Sequence, residues 1–346
     1  MLYNYALLYY NINLKQIKTM KKIHLISTLI GLLIFSTLAK AELKVVTSIK
    51  PIHSLASYIM DGVGSPGLIV DGYNSPHSFQ LKPSHAKMLE QADIIFWIGE
   101  DLENFLEKPL DTIAKKAEKI ELLEIKNIKK LKFRERNIFE EHEGHDDHGD
   151  DAKKEEHDDH GHDAKKEEHD DHDDHDDHGH GEYDPHIWLD PINAKVILNE
   201  ITEHLIENDS KNAATYKSNL AKAKSEIDKL IIDVITETNT DLSYVVFHDA
   251  YQYYENRFNV NILGAMTVNP DVMPGAEQIH EIHEVIEHDN VSCILSEPQF
   301  NPDIIKSIAK DTSVKTGVLD PLGANLKPGK NLYLDLIRNM SSSFNC

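Results

Sequence analysis

The sequence predicts an α/β protein with two lobes of mainly parallel sheet and flanking helices, joined by one long rigid helix. Short β-branched runs alternate with longer stretches of helical period, and this alternation occurs twice, on either side of a segment that lacks both Gly and Pro. A chain of 346 residues is long enough to give each lobe its own core.

Residues 1 to 41 are expected to be absent from the mature chain. Met20, Lys21 and Lys22 give a positive start, residues 23 to 38 an apolar core, and Ala39-Lys40-Ala41 a small-x-small cleavage site. Met20 is the expected true start. The apolar run is shorter than the ~20 residues a membrane-spanning helix needs. No Cys follows the cleavage site to carry a lipid, so a soluble chain in an oxidising compartment is expected from Glu42 onward.

The N-terminal lobe is assigned to 42–209, with strands at 43–49, 67–71 and 93–99 and helices near 51–63, 83–92 and 102–117. Residues 210–238 are rich in Ala, Lys and Leu, apolar at helical spacing, with Ser210 as a candidate cap. A helix of that length reaches about 40 Å at 1.5 Å per residue, which suits a stiff connection. The C-terminal lobe, 239–346, has strands at 243–248, 260–265, 292–297 and 314–320 and helices near 250–258, 275–289, 301–311 and 331–343. Its two cysteines, Cys293 and Cys346, are the only ones in the chain. In an oxidising compartment they most simply form one disulfide, two unpaired buried thiols being the alternative.

The formal charge of −23 is the property of one segment. Residues 140 to 184 hold 22 acidic residues against 4 Lys, and the remainder of the chain carries only about −5. No basic face is left to neutralise phosphates, which argues against nucleic acid as a partner. Residues 140–182 have almost no apolar side chains and contain a near-perfect repeat, DAKKEEHDDHGH followed by DAKKEEHDDHDD, so the composition predicts a disordered loop. Eleven of the 21 histidines lie there: His142, His145, His148, His157, His160, His162, His169, His172, His175, His178 and His180. Imidazoles interleaved with carboxylates offer overlapping donor sets for Zn²⁺ and other divalent ions, whereas a merely solvating acidic tract needs no His.

A folded site must hold one ion, and open α/β sheets place ligands at strand ends. His77 in NSPHSF, His186 in DPHIWLDP and His248 at the end of SYVVFH have that placement. His53 is assigned to a cleft wall. His280, His283 and His288 have spacings of three and five, which fail the H-E-x-x-H protease pattern and read as a solvated helix face, as do His85 and His204. Trp188 and Tyr251, Tyr253 and Tyr254 read as core and cleft packing.

In order along the chain, VTSIKPIHSL, SPHSFQLKPS, ADIIFWIG, DPHIWLDP, VVFHDAYQYY, LSEPQF and GVLDPLG resemble the motifs of ZnuA-type zinc-binding solute receptors, over essentially the whole mature chain. The resemblance implies a periplasmic receptor rather than an enzyme, with Zn²⁺ as cargo and His77, His186 and His248 as three imidazole ligands. Manganese receptors of the wider family generally carry a carboxylate in place of the third His, so His248 favours zinc. Some relatives have an acid before the first His, where this chain has Pro76. By the same resemblance Asp320 is the preferred fourth ligand and Glu297 the second choice, orientation of an imidazole being the alternative role for either. The implied partners are an ABC permease with a separate ATPase, since the chain has no Walker A pattern, together with periplasmic zinc chaperones; a monomer is expected. The alternatives are a zinc buffer acting through the His-rich loop and, less favoured, a zinc hydrolase using the open coordination position.

Overall fold

The structure is a computed structural model that describes residues 20, 42–134, 136–139, 181–270 and 272–346. The export signal and the His-rich residues 140–180 lie outside the described residues. In the unit Leu43–Cys346 the chain builds two sheets in turn. The first comprises Val45–Ile49 (β1), Lys50–Ile59 (α1), Gly67–Val70 (β2), Pro83–Gln91 (α2), Ile94–Trp97 (β3), Glu100–Thr112 (α3) and Glu118–Glu121 (β4). Its strands are all parallel in the order β2-β1-β3-β4. Every residue of β1 and β3 is buried, as continuous apolar strands covered on both faces must be. Strand β4 was not expected from the sequence, because EKIE lies at an edge and buries only Ile120.

Helix Pro191–Asn208 (α4) starts where Asp190 caps it, its carboxylate accepting from the Ile192 amide. A 3₁₀ turn at Ser210–Asn212 then leads into Ala213–Glu237 (α5), so the expected long helix begins three residues late. Its 25 residues span about 37 Å at 1.5 Å each. Tyr216, Asn219, Ala223, Ile227, Leu230 and Val234 recur every three or four residues and form its buried stripe.

The second sheet repeats the first: Ser243–His248 (β5), Gln252–Phe258 (α6), Asn261–Thr267 (β6), Ala276–His288 (α7), Cys293–Ser296 (β7), Asp303–Thr312 (α8) and Lys315–Val318 (β8), all parallel in the order β6-β5-β7-β8. Helix Leu332–Ser343 (α9) then returns to pack on α1 and α5. The Tyr333 amide donates to Ser54 Oγ at 2.9 Å and its hydroxyl to the Trp188 carbonyl at 2.8 Å.

The stems on either side of residues 140–180 pair with each other, and the first of them runs on to the edge of the second sheet. The Asp184 amide donates to the Leu131 carbonyl, while the Phe139 amide donates to Leu263 and the Ala265 amide to Asn137 beside β6. A Cβ at Gly264 would lie 2.7 Å from the Asn137 carbonyl, so this crossing requires glycine. Among the described residues no helix is long and apolar enough to cross a membrane.

Cys293 and Cys346 are bonded, fastening the C-terminus to β7 across 53 residues. Closing a loop of that size restricts the unfolded chain, so Cys346→Ser is expected to cost about 2–4 kcal/mol. Denaturant unfolding of the two proteins without reductant checks this.

Candidate metal centre

Both sheets change winding direction beside their central strand, and the carboxyl ends of the strands at those points are where such folds place ligands. His77 lies on the loop after β2, His248 is the last residue of β5, and His186 precedes the short 3₁₀ turn Ile187–Leu189. The chain brings the three together: one nitrogen from each lies within 4.8 Å of the others. Ring centroids are 5.5 Å apart for His77 and His186, 5.6 Å for His77 and His248, and 5.3 Å for His186 and His248. His186 and His248 are each 3% exposed and His77 is half-buried.

The two buried rings are held from behind by carboxylates. His186 Nδ1 lies 2.7 Å from Asp184 Oδ1, and His248 Nδ1 lies 2.6 Å from Glu297 Oε1. A carboxylate facing Nδ1 draws the proton there and leaves the Nε2 lone pair bare. Those Nε2 atoms sit 3.4 Å apart. Two nitrogens bound tetrahedrally to zinc at about 2.0–2.1 Å are separated by about 3.3 Å, so the spacing is that of two ligands on one ion.

Burial and charge split the two imidazoles. Burial, then the neighbouring His248, pushes His186 well below the usual imidazole range. Burial works downward on His248 too, but the charge and hydrogen bond of Glu297, with Asp249 and Asp184 behind, outweigh it and the net direction is up. Burial lifts Asp184 to about 7, opposed by the His186 amide, His248 and Arg134. Its Oδ2 is buried without a hydrogen-bond partner. Arg134, on the stem before residue 140, pairs with Asp249 at 3.0 Å and with Glu255 at 2.5 Å.

Asp320 is engaged with its own turn. Its carboxylate accepts from the amides of Leu322, Gly323 and Ala324 and from Gln299 Nε2. Glu297 is the acceptor that orients His248. His53 points instead toward the Pro66 carbonyl at 3.2 Å, and His280 is exposed on α7 near Glu284. Trp188 is fully buried, donates to the Pro321 carbonyl, and packs its ring 5.3 Å from that of His186.

Several supporting residues leave little or no signal in the sequence. Asp184 carries a local signal: an acid two residues before His186 can cap that residue's amide, here at 2.9 Å. Asp190 is recognisable as a cap, but its paired hydrogen bonds from Arg257, both 2.7 Å, join residues 67 apart and leave no local trace. Lys50, buried at the end of β1, donates to the carbonyls of Ala324 and Leu326 and so ties the Asp320 turn to the first sheet. Loss of the acceptor behind a metal-bound imidazole typically costs about 10–100-fold in metal affinity, so Asp184→Asn is expected to weaken zinc binding by that factor in a chelator competition.

Comparison with known proteins identifies the family and the fold. The family model described as "Zinc-uptake complex component A periplasmic" matches residues 45–345. The protein named "High-affinity zinc uptake system protein ZnuA" in Brucella abortus (strain 2308) is 46% identical over 312 residues, covering 89% of this chain and 92% of its own. Among solved structures, a crystal structure of ZnuA superposes with TM-score 0.66 at 19% identity, covering 87% of this chain and 99% of that one. A mutant structure of the laminin-binding adhesin Lmb of Streptococcus agalactiae also gives 0.66, at 22% identity, covering 87% and 97%. At these identities the structural likeness speaks to the fold alone.

Proposed function

The chain belongs to the family of periplasmic zinc-uptake component A proteins, and on that premise we propose that it captures Zn²⁺ with His77, His186 and His248 and delivers it to an ABC permease driven by a separate ATPase. The observation that carries the ligand assignment is the convergence of three imidazoles, two of them with Nε2 atoms 3.4 Å apart and Nδ1 atoms held by carboxylates. Neutral imidazole suits a borderline ion such as zinc, and three such ligands leave one tetrahedral position open. With Asp320 and Glu297 both hydrogen-bonded elsewhere, solvent is the proposed fourth ligand.

Exported through its N-terminal signal, the receptor meets zinc outside the cytoplasmic membrane. The acidic His-rich segment gathers ions or reports their abundance, and its exchangeable donor sets pass them to the more selective folded cage. Handover requires the permease to favour a form of the receptor with the cage opened, since a partner shifts an equilibrium only by its differential affinity. A receptor is preferred to a buffer or a hydrolase because the curated relatives are named as zinc uptake proteins.

Complementation tests this reading. In zinc-limited bacteria that lack their own receptor but retain the permease and ATPase, the chain should restore zinc accumulation and His186→Ala should not. Equal rescue by both proteins would remove the cage from the transport cycle.

A further inference from the structure

A second group of metal-ligand side chains lies at the other end of the first sheet. Glu118 opens the edge strand β4, at the amino-terminal rim of the sheet, whereas His77 follows the carboxyl end of β2. His204 and Glu207 sit one turn apart on α4, three residues being the spacing that brings two side chains to one helix face. One ligand atom from each of Glu118, His204 and Glu207 lies within 4.8 Å of the other two.

The imidazole is mostly buried and is flanked by carboxylates on both sides. Glu200 Oε1 lies 3.2 Å from His204 Nε2, which repeats with the nitrogens exchanged the carboxylate–imidazole pairing found at His186 and His248. The opposite nitrogen, Nδ1, is buried and makes no hydrogen bond, although Glu118 Oε1 is only 2.9 Å away. Asn208 fixes the other oxygen of Glu118 by donating to Oε2 at 3.0 Å, and the Phe96 ring meets the imidazole edge-on. A buried ring nitrogen and a carboxylate oxygen thus lie side by side, with a second carboxylate one helical turn away.

We propose that Glu118, His204 and Glu207 form a second divalent-cation site that takes Zn²⁺ through His204 Nδ1 and the two carboxylates. One imidazole and two carboxylates are a harder donor set than three imidazoles, and Glu118 is 39% exposed, so water completes the coordination. The site therefore binds zinc more weakly than the three-imidazole centre and exchanges it with solvent. It is built from residues none of which belongs to that centre, so neither assignment depends on the other.

Crystals of the full chain, grown with zinc in excess over all its histidines, provide the test through anomalous difference maps collected at the zinc edge. The expected result is a second peak about 2.0–2.2 Å from His204 Nδ1 and from an oxygen of each glutamate, lower than the peak at His77, His186 and His248. Glu207→Gln, a conservative change on an exposed residue, should abolish the second peak and leave the first at full height. A filled first site with no density between Glu118 and His204 would overturn the proposal and leave His204 simply packed between Glu118 and Glu200. Persistence of the peak in Glu207→Gln would overturn the ligand assignment as well.

Discussion

Zinc affinity is expected to fall by on the order of 10²- to 10⁴-fold in His186→Ala. Structural zinc sites in small proteins bind with about 10–16 kcal/mol at neutral pH, and one ligand's share of that is roughly 3–5 kcal/mol. Removing this ring has a second cost. Asp184 then stays buried with only the backbone amide of residue 186 on Oδ1, since Oδ2 is already without a partner. Loss of that ring hydrogen bond from a buried carboxylate is expected to cost about 1–3 kcal/mol of folding stability. Competition against a chelator of known affinity reads the first effect and a thermal melt of the apo-proteins reads the second. An affinity within threefold of the wild type would exclude His186 from the coordination sphere.

Acidification is the other large lever. Zinc needs the bare Nε2 lone pair, and a second proton on either buried imidazole competes for it. The two rings compete unequally. His248, whose proton is favoured by Glu297, becomes imidazolium at a pH above the ordinary 6.5, whereas burial keeps His186 neutral far below it. Apparent affinity should therefore begin to fall above pH 6.5 as pH decreases, by about tenfold per unit for each proton displaced. Glu297→Gln removes the charge that raises His248, so the onset should move to lower pH while affinity at high pH drops about 10–100-fold. A profile flat between about pH 8 and pH 5 would contradict this account of the cage.

The parts of the fold legible in the sequence are those whose signal is local. Strands β1, β3 and β5 are continuous apolar runs because both faces of a parallel sheet are covered, and α5 shows its buried stripe at helical spacing. Strand β4 was not legible, since its pairing is decided by β3 rather than by its own polar residues. The three histidines stood out as His at strand ends, but their convergence joins residues from three distant segments and only the ordered motifs suggested it. The roles of the carboxylates were less legible. Asp320 and Glu297 occupy similar strand-end positions, yet one organises its own turn and the other orients an imidazole. Nothing in their local sequence separates the two, because the difference lies in which backbone or ring each meets across the cleft. His204 was similarly hidden, its environment being created by α4 packing beside β4.

High-affinity capture is expected to reside in the folded three-imidazole centre and not in the acidic His-rich segment. Zinc stoichiometry and tight-site affinity, measured by chelator competition on protein lacking residues 140–182, test it most directly when the same deletion is combined with His186→Ala. One tightly bound zinc is expected in the deletion protein, and its loss in the combined variant. Loss of all tight binding on deletion alone would place capture in the His-rich segment and contradict that expectation.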